Sequence, residues 1–340
     1  SVERPTRVAL ALGSGGARGY AHIGAIQVIE ERGLQIVSIA GASMGALVGG
    51  LHAAGSLRGY TEWVIGLKQR DILRMLDLSI SAPGALRAER IFARVRELIG
   101  DVRIEDLPVH FTAVATDLFA RREVWFQHGP LELAIRASAA IPGILAPVMH
   151  NGRVLVDGGL LDPIPIAPTR GVNTDTTIAI DLAGDRTSRS APLRETADRH
   201  PIEEMSDRLR RSASRLMDRD LARQLMGRLG RADGRSEPEL TIEALAGAPE
   251  AELESLPANL GKFDVVDLSF EAMISVLTRY RLAGYPPDVV VHIPKDACRT
   301  LDFHRATEVI ELGRTLTAEA LDRAGLTGTT PNSSVTPSIE

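Results

Sequence analysis

One cysteine, Cys298, serves all 340 residues, so no internal disulfide framework can staple the fold and a cytoplasmic setting is expected. Aromatic residues are scarce too, at 4%. That speaks against an aromatic-rich β-sandwich and for small-residue helices packed closely on a sheet. Positive charge is not in excess. Lys and Arg total 39 against 44 Asp and Glu, a net charge of −5, which leaves no footprint for nucleic acid. No group of His, Cys and carboxylates has metal-ligand spacing, so no metal and no cofactor is expected.

Charge of either sign is missing from Gly33 to Leu57. The run is long enough to suggest a membrane span, but Gly41, Gly45, Gly49, Gly50 and Gly55 break it. A strand, a tight turn and a small-residue helix account for it better, because buried α/β cores carry such runs. A signal peptide is rejected on similar grounds: Arg4 and Arg7 precede only a short apolar stretch, and Arg18 follows at once.

What is present reads as alternating strands and helices. Residues 7–12 and 36–40 are apolar strand candidates, followed by helices over about 18–32, with Gly33 as its cap, and from Met44 onward. This β-α-β-α order implies a parallel sheet with helices packed on it. Helices continue through 59–76 and 88–99. Strands are expected at 109–115, 122–127, 153–156, 177–182 and 288–293, and helices at 131–139, 266–283 and 302–324. The expected organisation is one catalytic domain over 1–325, with a charged helical insertion at about 184–260 and a disordered tail over 326–340. Inside the insertion, 202–229 is amphipathic and rich in arginine; it reads either as a helix packed on the core or as a lid that meets anionic lipid.

Three glycine-bearing turns carry the chemistry. Gly41-Ala42-Ser43-Met44-Gly45 lies between a strand and a helix, where a sharp turn would expose the Ser43 hydroxyl beside a helix N-terminus. Gly13-Ser14-Gly15-Gly16-Ala17-Arg18-Gly19 also joins a strand to a helix, and its amides could converge on an anion. A dinucleotide fingerprint would need glycine where Arg18 stands and an acid closing the second strand, so an oxyanion is the better fit. Asp157-Gly158-Gly159 follows a strand and offers a carboxylate base for a serine. His292 lies within a strand and His304 at the start of a helix, so neither is in an evident catalytic loop. A nucleotide-binding oxidoreductase and a non-enzymatic lipid-surface interaction module are the competing classes.

Together, in this order, the turns at 13–19, 41–45 and 157–159 and the segment ASAAIPGILAPV at 137–148 resemble the patatin-like phospholipases, with bacterial and neuropathy-target-esterase-type members the nearest in kind. The resemblance spans about 7–182, and 262–320 looks like the C-terminal part of those members. It implies a three-layer α/β/α sandwich with a mostly parallel central sheet. It also implies a serine acyl-ester hydrolase acting on phospholipids or lysophospholipids, in peripheral contact with the membrane and without a metal. Ser43 would be the nucleophile and Asp157 its base. Gly15, Gly16, Ala17 and Arg18 would form the oxyanion loop, Gly41 and Gly45 the nucleophile elbow, and Gly158 and Gly159 the aspartate turn.

Overall fold

The computed structural model describes residues 4–75, 89–184 and 262–326. Apart from 262–266, these belong to one compact unit. The expected insertion, its amphipathic 202–229 stretch and the expected tail lie outside the described residues, apart from their first residues.

An eight-stranded sheet forms the centre. Its strands are β1 (Arg7–Leu12), β2 (Gln35–Ala42), β3 (His110–Asp117), β4 (Arg122–Phe126), β5 (Val148–His150), β6 (Arg153–Asp157), β7 (Thr176–Gly184) and β8 (Val289–Pro294). The five strands β3-β2-β1-β7-β8 are mutually parallel. β4, β6 and β5 join antiparallel at the β3 end. Central strands covered on both faces have no need of alternation. β1 is accordingly an unbroken apolar run, buried from Val8 to Leu12.

The helices are α1 (Ala21–Glu31), α2 (Met44–Ala53), α3 (Leu57–Ile65), α4 (Gln69–Met75), α5 (Glu89–Ile99), α6 (Leu131–Ser138), α7 (Lys262–Gly284) and α8 (Ala306–Arg323). One face of the sheet, carrying Leu10, Leu12, Ile39 and Phe111, packs into the main core under α1, α2 and α8. The opposite face presents Ala11 and Ala179 to Ile164, Ile166 and Leu282 of α7. The molecule therefore has the α/β/α layering and mostly parallel sheet that the sequence implied.

Small residues set the layer spacing. A Cβ on Gly24 of α1 would collide with the Ile310 carbonyl of α8, and one on Gly313 of α8 with the Ala21 carbonyl of α1. The two helices thus cross with backbone against backbone.

Local differences from the sequence reading have physical causes. The expected helix over 59–76 is two helices, α3 and α4, parted where Gly66 caps α3. The helix expected from Arg18 begins as a 3₁₀ turn over Gly16–Tyr20 and becomes α-helical at Ala21. The last helix likewise starts at Ala306, after a turn at Phe303–Arg305. β5 was not foreseen. It is three residues long and pairs with β6 across Asn151-Gly152, both at positive φ, the pair that favours a tight hairpin turn.

Candidate active site

The site arises from how β3 shares one edge. β2 runs parallel along that edge and ends with Ala42 opposite Val114. β6 runs antiparallel and ends with Asp157 opposite Ala115. β4 pairs with Ala113–Asp117 on the other edge, so β2 and β6 meet carboxyl end to carboxyl end. The next residue after β2 is Ser43, and the last of β6 is Asp157. Residues 114 positions apart in sequence are brought together by consecutive positions of one strand.

Ser43 has φ 56° and ψ −121°, a conformation sparsely populated outside glycine. Three contacts hold it there. A Cβ on Gly41 would strike the Gly45 backbone, and one on Gly45 would strike the Leu12 carbonyl, so only glycines let the turn close against β1. The Ser43 N–H donates to Ser138 Oγ at 2.9 Å, and that hydroxyl donates onward to the Val114 carbonyl. Ser138, at the end of α6, ties the elbow to β3. Ser43 is also the N-cap of α2, whose first-turn amides and dipole favour negative charge beside it.

Asp157 is buried, and its two oxygens are unequal. Oδ1 accepts the Gly159 N–H at 2.7 Å. Oδ2 is buried with no partner at hydrogen-bond geometry. Burial raises the carboxyl to about 6, opposed first by the neighbouring Ser43 hydroxyl and then by the Gly159 amide. The hydroxyl therefore lies near enough to act on the acid electrostatically while not bonded to it in the resting geometry, as is common before substrate tightens a site. The turn is pressed into β3: a Cβ on Gly158 would collide with the Val114 carbonyl, and one on Gly159 with Ser14 Oγ. The glycine loop and the aspartate turn are thus in direct contact.

The glycine loop is pinned at many points. Gly13 N–H donates to Ile180 O at 3.1 Å, Ser14 N–H to Pro163 O at 2.8 Å and Ala17 N–H to Thr300 O at 2.9 Å. The Ala17 amide, expected among the oxyanion donors, is therefore already engaged. Gly15 and Gly16 lie between these anchors, and neither amide has a backbone acceptor among the described residues. Gly16 takes φ +55° hard against the Thr300 carbonyl, which only glycine tolerates.

Arg18 is buried and turned back on the protein. It donates to Gly15 O at 3.3 Å, Lys295 O at 2.9 Å and Glu271 Oε1 at 3.1 Å. Its guanidinium thus orients the loop through protein acceptors.

Beneath the loop, the fully buried His22 places Nε2 2.7 Å from Gly13 O. Burial lowers its pKa to about 4, so the neutral ring donates to that carbonyl, and Nδ1 is left without a partner. His22, Ser138 and Thr300 were missed by the sequence reading. Ser138 stood within the 137–148 segment already singled out, and His22 is one turn past Arg18, but only tertiary contacts give them meaning.

Three other titratable groups could be considered for the base role. His292 places Nδ1 2.9 Å from Asp181 Oδ2, a pairing of the kind that orients a catalytic imidazole. It lies on β8, three strands away from β2, or roughly 14 Å at normal strand spacing, too far to touch Ser43. His304 sits in the turn before α8. Asp162 is buried near Arg281, whose Nε lies 3.5 Å from Oδ1. Burial raises it to about 7, with Arg281 opposing and Glu123 adding to the rise. Its place is on the α7 side, where Arg281 also donates to Leu161 O. Among the described residues no cluster suited to a metal ion occurs, and no helix is long and apolar enough to cross a membrane.

Comparison with known proteins places the chain in a family. Residues 10–170 match the model of the patatin-like phospholipases. An uncharacterized NTE family protein of Mycobacterium tuberculosis is 50% identical over 334 residues, covering 93% of this chain and 91% of that protein. The lysophospholipase NTE1 of Saccharomyces cerevisiae is 34% identical over 187 residues, 53% of this chain but only 11% of that protein. Among solved structures, VipD from Legionella pneumophila matches at a TM-score of 0.41 and 15% identity, over 95% of this chain and 68% of that one, a likeness too loose to bear on the site. With its length shared almost throughout with a member, the chain belongs to the NTE family of patatin-like phospholipases.

Proposed function

We infer that the chain hydrolyses acyl esters of phospholipids or lysophospholipids, with Ser43 as nucleophile and Asp157 as base. Family membership supports lipid hydrolysis at the coarse level. The yeast relative named a lysophospholipase suggests the substrate class. The observation that carries the finer reading is the convergence of β2 and β6 on β3, with a strained serine beside a buried acid.

In the proposed reaction the Ser43 Oγ attacks the ester carbonyl while its proton passes to Asp157 Oδ2. The Gly159 amide holds Oδ1, so Oδ2 is the oxygen left to receive it. The same proton then goes to the leaving alcohol, giving the acyl-serine. Water attacks that ester next, with Asp157 as base again. The tetrahedral oxyanion takes hydrogen bonds from the Gly15 and Gly16 amides, aided by the N-terminus of α2. Each such donor is typically worth about 10²–10³ in rate. No step requires a cofactor, and the pinned loop supports the oxyanion reading over a dinucleotide one.

The test is turnover of p-nitrophenyl butyrate. Ser43→Ala should reduce it to background and Asp157→Asn by orders of magnitude, while the near-isosteric amide keeps the Gly159 bond. His292→Ala should leave it close to wild type. A His292 variant as inactive as the Ser43 variant would replace the dyad with a triad.

A further inference from the structure

We propose that the corner formed by the β3–β4 turn and β5 docks the protein on an anionic lipid surface, with Leu118, Phe119 and Met149 entering the bilayer and Arg121 and Arg122 meeting its phosphates. The proposal rests on the reading of the chain as a lipid hydrolase and adds where the lipid is met.

The apolar side chains at this corner are unusually open. Phe119 is 79% exposed, Met149 67% and Leu118 44%. They are neighbours across strands. Leu118 donates its N–H to Val154 O at 3.0 Å, continuing the β3–β6 register, and Val154 in turn pairs with Met149. Residues paired this way lean to the same face of a sheet. Phe119 tops the turn beside them. An exposed aromatic and two exposed aliphatic groups, all on one corner of the surface, mark a place of contact.

Charge selects the partner. Arg121 and Arg122 follow Phe119 after the single residue Ala120 and are exposed, and neither forms an ion pair among the described residues. Arg153, on the adjacent β6, is 45% exposed and only loosely paired with Asp117 at 3.7 Å. The chain as a whole is acidic at −5, so this cationic corner runs against its average. Apolar insertion beside arginines is the combination that binds anionic interfaces.

Position ties the corner to the site. Ala115 of β3 faces Asp157, and Leu118 is three residues further along, roughly 10 Å at the rise of a strand. The turn therefore extends from the carboxyl edge where Ser43 and Asp157 meet, and a bilayer resting on it would lie close to the nucleophile.

The experiment is co-sedimentation of the full chain, carrying Ser43→Ala to prevent hydrolysis. The vesicles are phosphatidylglycerol and phosphatidylcholine in equal parts, against phosphatidylcholine alone. Binding should need the anionic lipid. Replacing both Arg121 and Arg122 by Ala should weaken it by about 30-fold, at roughly 1 kcal/mol per arginine near the surface. Phe119→Ser should weaken it by about tenfold through lost insertion. With Ser43 restored, the same variants should turn over p-nitrophenyl butyrate at the wild-type rate. Equal binding to both vesicles, no binding to either, or variants that bind as well as the parent would overturn the proposal. A parallel fall in ester turnover would make the turn a support of the site instead. A dimer that Phe119→Ser splits would assign the corner to self-association. Vesicle binding needs no catalysis, so failure of the hydrolase reading would appear separately, as absent ester turnover with binding intact.

Discussion

At the residue scale the account turns on Asp157. In the proposed mechanism its raised pKa, about 6, would make it a base that is ionised at neutral pH yet basic enough to take a serine proton. The pH profile of kcat/KM should rise through about pH 6 and level above it. If the limb instead fell near 7, the buried Asp162 would be the better base; Asp162→Asn should leave the limb where it is. The same shift has a stability consequence. An acid with a raised folded pKa contributes stability fully present below its unfolded value of 3.8, and that contribution is lost as pH rises through about 6. At pH 7 the ionised carboxylate is therefore a burden on the fold. Asp157→Asn should raise the thermal midpoint at pH 7 while lowering turnover, with a ceiling of about 3 kcal/mol for a carboxyl raised from 3.8 to about 6. The gain should shrink toward pH 4. A midpoint lowered at pH 7 would contradict the assigned burial cost.

His22 tests the loop by a different route. Its Nε2 bonds the carbonyl of Gly13, the first residue of the loop. His22→Phe keeps the volume and removes the bond to the carbonyl. It should reduce kcat by about tenfold or more with little change in KM, since an oxyanion donor acts in the transition state. A pure rise in KM would point to substrate binding instead.

At the element scale, the strands and helices were legible because their signals are local. β1 reads as apolar from Val8 to Leu12, and a glycine at φ +68° follows the end of α1. β5 was not legible, because three residues give no periodicity and its hairpin signal lies in Asn151-Gly152 rather than in the strand. Ser43 and Asp157 were legible because each sits in a glycine-flanked turn after a strand. Ser138 was not, because a serine in the last turn of a short amphipathic helix has no local mark; its role appears only when α6 lies against both the elbow and β3. Ser138→Ala should leave the buried Ser43 amide unpaired, at about 1–3 kcal/mol, and loosen the elbow, reducing kcat more than KM. Kinetics alongside a urea melt would check both. Gly313→Val is the structural counterpart. Its side chain would meet the Ala21 backbone across the α1–α8 crossing, so stability should fall by about 1–3 kcal/mol or more.

At the scale of the whole molecule, the three turns occupy one end of the parallel sheet because successive β-strands deliver their carboxyl ends there. The antiparallel β6 is the exception, and it reaches the same point from the other direction. The C-terminal part belongs to this design as well: Lys295 and Thr300 hold Arg18 and Ala17 through their carbonyls, so the segment beyond 262 supports a site whose motifs all lie before 160. The central claim is that this convergence activates one serine. Its most direct measurement is labelling with a fluorophosphonate, followed by mass spectrometry of the digested chain. The account predicts a single adduct on Ser43, no adduct in Ser43→Ala, and much slower labelling in Asp157→Asn. An adduct on a different residue, or labelling of Ser43 at the same rate without Asp157, would contradict it.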